Sequence, residues 1–266
     1  MTEKTTPIDK IELPYDFMSF DIETGPLPDD QLMRLCPAAK LPKHPGEFIL
    51  SGVKLGNLKD PLKIQDKIDA AFDSHQAAVG ANDDACVAAI EQNFAAFRDK
   101  AALSATTGRV VAIGVAESHG IDIIGDGQES EEFILSEFWG TVTDCLKFSI
   151  SMIGFNTKGF DLPFLIRRSW MLGVPIPAGV RQGRYWNDLF VDLMEVWNQG
   201  ERGYVKLDVL CTAFGLPGKV VEVDGVEISG ATFHEVWNSE SRDVAVEYLR
   251  GDILLPVELA RRMRAV

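Results

Sequence analysis

FMSFDIETG, residues 17–25, joins an apolar run to two acids spaced two apart. Residues 17–23 read as a β-strand. Alternate side chains of a strand leave the same face, so Asp21 and Glu23 project together. Two carboxylates on one face of a strand end chelate a hard cation through oxygen. The segment TGPLP (24–28) follows and is expected to end the strand. No other Asp-x-Glu occurs in the chain.

Two distant segments carry matching chemistry. In IGFNTKGFDLPFL (153–165), Asp161 sits at the start of a helix expected over about 160–172. It follows the apolar strand FSISMIGF (148–155) and a short loop. In that loop Asn156 can hydrogen-bond a substrate, Lys158 is the best placed cation for a phosphate, and Phe160 can pack beneath the site. In VEYLRGDILL (246–255), Tyr248 and Asp252 are four apart and share a helical face. One can hold a metal while the other holds the attacking water. Each segment alone has a plainer reading: a solvated strand end, an acid at a helix N-terminus, a half-buried tyrosine with a surface aspartate. Tyr204 and Asp208 repeat the four-residue spacing but straddle a predicted helix start.

The triplet FDIET, NTKGFD and YLRGD, in that order, resembles the three exonuclease motifs of the ribonuclease H-like superfamily. The tyrosine of the last motif is similar to that of the tyrosine-type four-carboxylate (DEDDy) 3′–5′ exonucleases. Among these, the proofreading domain of family B DNA polymerases and its free-standing relatives are the nearest likeness. YVKLDVLCTAFGLPGK (204–219) also resembles those relatives. The likeness spans roughly 15–28 and 108–264. It implies an α/β fold, a ribonuclease H-like mixed sheet flanked by helices. It implies two divalent cations, Mg2+ or Mn2+, held by Asp21, Glu23, Asp161 and Asp252, with Tyr248 orienting the nucleophilic water. Thr24 and Asn156 become candidates for contact with the terminal nucleotide, with Lys158 and Phe160 beside them. The implied reaction releases 5′-mononucleotides from the 3′ end of single-stranded DNA, in repair or replication. A 3′–5′ exoribonuclease, or an inactive module that binds nucleic acid or protein, is the alternative.

The 266 residues suffice for one large core, and the sequence reads as a single ribonuclease H-like domain over 1–266 with a helical insertion, 29–107, between its first two strands. Five of the thirteen prolines fall within 26–46, which reads as irregular chain. Asp60-Pro61 starts a helix, with an acid at the N-cap and proline at the first turn. Ile64, Ile68 and Phe72 line its face, and Asn82 is expected to cap a second helix bearing Val87, Ile90, Phe94 and Phe97, so the insertion reads as a helical hairpin. It is a candidate docking arm for a protein partner. Strands are expected at 109–116, 121–124 and near 189–193, and helices at 131–145 and from about 242, the last interrupted or bent near Pro256.

Net charge is −14, so two divalent ions would leave −10. Nucleic-acid contact must then rest on local cations and metals rather than on a basic field. Candidate local cations are Lys158, Arg167, Arg168, Arg181, Arg184, Arg261, Arg262 and Arg264. The four cysteines lie at least fifty positions apart, which offers no zinc spacing and argues against a disulfide framework. No apolar run approaches a membrane span and the N-terminus lacks a signal-like stretch, so no membrane partner and a cytoplasmic location are expected.

Overall fold

A computed structural model of the protein describes residues 8–127, 129–180, 188–223 and 225–266. Arg181 and Arg184 lie outside the described residues. The chain divides into two compact units, one of 1–28 with 100–266 and the other Asp29–Asp99.

The first unit opens with β1 (Phe17–Pro26), and the second inserts α1 (Asp29–Leu35) and α2 (Pro61–Arg98). The first unit then resumes with β2 (Gly108–Glu117), β3 (Gly120–Ile124), α3 (Glu131–Phe148), β4 (Ser151–Gly154), α4 (Asp161–Leu172) and β5 (Phe190–Asp192). It ends with α5 (Leu193–Asn198), α6 (Leu207–Ala213), a small hairpin of β6 (Glu222–Val223) and β7 (Val226–Glu227), α7 (Phe233–Trp237) and α8 (Arg242–Met263).

Five strands form a mixed sheet in the order β3-β2-β1-β4-β5. β2 is antiparallel to both β1 and β3, while β4 runs parallel to β1 and β5 parallel to β4. This is the α/β arrangement, a mixed sheet flanked by helices, that the motif resemblance implies. Side-chain alternation divides β1 between two cores. Phe20 and Ile22 join the apolar cluster that buries Phe138, Trp139 and Val142 of α3 with Leu162 and Leu165 of α4. Phe17 belongs to the opposite cluster, built mainly from α6, α7 and α8. Asp21 and Glu23 have the parity of Phe17 and so point to the side where α8 packs.

Several expectations are corrected. β1 does not end before Thr24 but runs to Pro26, pairing Gly25 with Arg109 and Pro26 with Gly108. β4 pairs only with Phe17–Ser19, so at Pro26 the missing N–H interrupts no ladder on that side. β4 is also shorter than the expected 148–155 because α3 continues to Phe148. α8 passes through Pro256 without interruption. An interior proline costs about 3 kcal/mol, but Ile253, Leu255, Val257 and Leu259 are fully buried around it, and each contributes roughly 1.5–3 kcal/mol.

The insertion holds one helix of 38 residues, not a hairpin. Asp60 does cap it, accepting from the Leu62 N–H at 3.1 Å. Asn82 caps nothing: it sits mid-helix and its side-chain amide donates to the Lys43 carbonyl at 3.2 Å. Gly80 weakens a helix by only about 1 kcal/mol, and without proline nothing forces a turn there. Residues 100–107 pack with the sheet unit, where Ala101 and Ala105 are buried and Leu27 N–H donates to the Thr107 carbonyl at 2.9 Å.

Of the candidate cations, Arg168 is structural. It is buried and pairs through two nitrogens with Glu131, at 2.8 and 2.6 Å. Arg261 donates to the carbonyls of Glu12 and Leu13, and Arg262 bonds Glu258 and the Phe214 carbonyl. Among the described residues no helix is long and apolar enough to cross a membrane. Cys36, Cys86, Cys145 and Cys211 are free thiols.

Candidate active site

The site lies beside the middle of β1, beyond the carboxyl ends of the parallel strands β4 and β5, where an α/β sheet leaves a crevice. Gly114 of β2 faces Asp21 across the ladder. A Cβ on Gly114 would stand 2.9 Å from Ile253 and 3.0 Å from Leu249, so α8 lies closer to the sheet than any other residue there would allow. This approach brings Asp252, one turn beyond Tyr248, over Asp21 and Glu23 of β1. Carboxylate oxygens of Asp21, Glu23 and Asp252 lie within 4.8 Å of one another. Asp161 opens α4, and its Oδ1 accepts the Ile22 N–H at 3.2 Å, which ties the second motif to the first. Asp21, Asp161 and Asp252 line one cleft of about 290 Å³, together with Phe155, Asn156, Phe160, Leu207 and Lys219.

Four acids this close resist ionising. Burial is the first cause that pushes Asp21 and Glu23 well above the usual carboxylate range, and repulsion from the neighbouring acids adds to it. Burial likewise raises Asp161, to about 7, against the opposing hydrogen bond from Ile22. Asp252 is raised by burial and held back by Lys219. Burial alone would lower the Lys219 ammonium, but Asp252 and Asp21 outweigh it and keep the side chain charged. The second oxygen of Asp252, Oδ1, is buried without a hydrogen-bond partner among the described residues. All-oxygen donors, mutual repulsion and a buried carboxylate oxygen with no donor fit a hard divalent cation.

The other sequence-predicted residues divide. Tyr248 is buried beside the cluster, its ring centroid 5.7 Å from Lys219 Nζ. Asn156 and Phe160 line the cleft, and the Phe160 ring lies 5.5 Å from that of Phe164. Thr24 turns its hydroxyl to the Ala102 carbonyl at 2.8 Å. Lys158 Nζ lies 3.0 Å from Glu195 rather than in the cleft.

Sequence reasoning missed Lys219, whose Nζ reaches Asp252 Oδ2 at 2.8 Å from the loop after α6. A lone lysine has no spacing signature. The only hint was that it closes the segment 204–219. Tyr204 and Asp208 also line the cleft, although Tyr204 lies ahead of α6 and so shares no helix face with Asp208. Asp208 accepts the Lys219 N–H at 3.0 Å.

A family model described as "predicted 3′-5′ exonuclease related to the exonuclease domain of PolB" matches residues 101–257, more than half of the 266. The match contains Asp161, Tyr248 and Asp252 and begins after Asp21 and Glu23, which the sheet delivers to the same point. No curated protein matches the chain. A solved structure, the family B DNA polymerase from the hyperthermophilic archaeon Pyrobaculum calidifontis, is similar at 23% identity and TM-score 0.49, over 62% of this chain and 23% of that one. The protein described here thus spans under a quarter of that polymerase's length. With more than half its length matched, the chain belongs to the family of predicted 3′–5′ exonucleases related to the exonuclease domain of PolB.

Proposed function

We propose that this protein is a metal-dependent 3′–5′ exonuclease of the tyrosine-type four-carboxylate class, removing 5′-mononucleotides from the 3′ end of single-stranded DNA. The observation that carries the reading is the convergence of Asp21, Glu23 and Asp252, from β1 and α8, to within 4.8 Å, with Glu23 and Asp252 buried and Asp21 half-buried. Asp21, Glu23 and Asp252 would hold one Mg2+ or Mn2+ ion, and Asp21 with Asp161 a second. Ions bound there would supply charge neutralisation of the phosphodiester and of the leaving 3′-oxygen and would make the attacking water more acidic.

The chain's own groups supply the rest. The Tyr248 hydroxyl orients the water for in-line attack. Phe155, Phe160 and Leu207 give the cleft apolar surface against which a base can stack, and Lys206 and Lys219 are the cations that line it. These local charges serve in place of a basic field, since the protein as a whole carries −14. The Asp29–Asp99 unit is proposed as a docking arm for a protein partner.

The test is digestion of 3′- and 5′-labelled single-stranded DNA, duplex DNA and RNA with Mg2+ or Mn2+, beside Asp21→Ala. Stepwise loss from the 3′ end of DNA, absent in the variant, supports the proposal. Preference for RNA would reassign the substrate, and equal activity in Asp21→Ala would remove the mechanism.

A further inference from the structure

The loop between β4 and α4 carries Phe155, Asn156 and Phe160 into the cleft and ends at Asp161. Its shape is closely specified. Asn156 holds a left-handed backbone, φ 63°. A Cβ on Gly154 would collide with Thr157 at 2.3 Å, and one on Gly159 with the Asn156 side-chain oxygen at 2.3 Å. The loop is folded tightly on itself, yet two of its N–H groups point away from it, toward β5.

Both meet Asp192. This aspartate ends β5 opposite Gly154 in the parallel ladder and is 1% exposed. Its Oδ1 accepts the Asn156 N–H at 2.9 Å and the Met194 N–H at 3.0 Å. Its Oδ2 accepts the Lys158 N–H at 2.9 Å. One carboxylate therefore caps α5 and clasps the loop at two points, with both oxygens engaged. It belongs to none of the three acidic motifs and is not part of the cluster of Asp21, Glu23 and Asp252.

We propose that Asp192 is a positioning residue for the exonuclease reaction: its carboxylate fixes the loop that sets Asn156 and Phe160 against the substrate and Asp161 against β1. The inference rests on the exonuclease reading. Charged acceptors make the stronger hydrogen bonds, and an aspartate offers acceptors on both oxygens, whereas asparagine turns one of them into a donor facing an N–H. A neutral residue of the same shape thus cannot keep both points of the clasp.

The experiment uses the full chain with Asp192→Asn, Asp161→Asn and the double variant, in Mn2+ with single-stranded DNA, well below the melting temperature. In Asp192→Asn the single-turnover rate at saturating DNA should fall roughly 10–100-fold, the scale on which a small misplacement acts. The Mn2+-induced rise in melting temperature, read from Asp21, Glu23 and Asp252, should persist. The double variant should be slowed by clearly less than the product of the two single effects, because part of the effect of Asp192 runs through Asp161. A merely structural role would lower the melting temperature while leaving the rate near wild type, or would multiply with Asp161→Asn; either result overturns the inference. Hydrogen exchange gives an arm independent of the variants: in the wild type the Asn156 and Lys158 amides should be protected, and free exchange there also overturns it. Wild-type protein inactive on every substrate would remove the exonuclease reading itself. Active wild type with an equally active Asp192→Asn would remove only the role of Asp192.

Discussion

Lys219 Nζ stands 2.8 Å from Asp252 Oδ2, placing a fixed positive charge from the loop after α6 against the carboxylates that β1 and α8 bring together. The same ammonium also lowers the pKa of Asp21, Glu23 and Asp161, so it acts on the whole acidic cluster. Breaking a fully buried ion pair costs about 3–5 kcal/mol, and the one-third exposure of Lys219 reduces that to about 1–3 kcal/mol. Lys219→Met should therefore lower the metal-free melting temperature by several degrees. Mn2+ should then restore more stability in the variant than it adds to the wild type, since no ammonium competes for Asp252. Thermal melts with and without Mn2+ decide it; an unchanged metal-free melt would show that Lys219 carries no such load.

The carboxylates should trade stability against activity. Asp21→Asn removes like charge from the cluster and should raise the melting temperature of metal-free protein, whereas Asp252→Asn also breaks the pair with Lys219 and should not. Each should also cost on the order of a thousandfold or more in rate. Tyr248→Phe loses a hydroxyl but no metal ligand and should be milder. Paired melts and rate measurements check both halves, and a destabilised, fully active Asp21→Asn would contradict the placement of that residue.

The pH response follows from the direction of the shifts. In metal-free protein Asp21, Glu23, Asp161 and Asp252 all have folded-state pKa values above those of unfolded acids, about 3.9 for Asp and 4.3 for Glu. Their stability is fully present below about pH 4 and is lost as pH rises through the folded values, Asp161 reaching about 7. Metal ligation needs the deprotonated forms, so the stabilisation by Mn2+ runs the other way. The Mn2+-induced shift in melting temperature should be larger at pH 8 than at pH 5.5. A larger shift at the acidic end would exclude these acids as the ligands.

Gly80 tests the single long helix. A Cβ there meets nothing within 4 Å. Gly80→Ala should stabilise α2 by about 1 kcal/mol, seen as higher helicity and a higher melting point for the insertion unit. A turn at that point, as in a hairpin, would instead make alanine destabilising.

The sequence by itself determined which of the motif side chains face together. Period-two spacing at Asp21 and Glu23 and four-residue spacing at Tyr248 and Asp252 fix which side chains share a face, because those periods are properties of the backbone. The apolar runs likewise located the five strands of the sheet, though not their ends. Local pattern failed where long-range packing rules. Pro256 continues inside a helix because a fully buried surround outweighs its cost, and Asn82 stays in mid-helix because its partner is the Lys43 carbonyl. Only the tertiary structure decided that Lys219 and Asp192 join the site, for neither has a sequence period relating it to the acids. Lys219 arrives from a loop and Asp192 from a neighbouring parallel strand, and both are recruited by the electrostatic and hydrogen-bonding needs of groups far away in the chain.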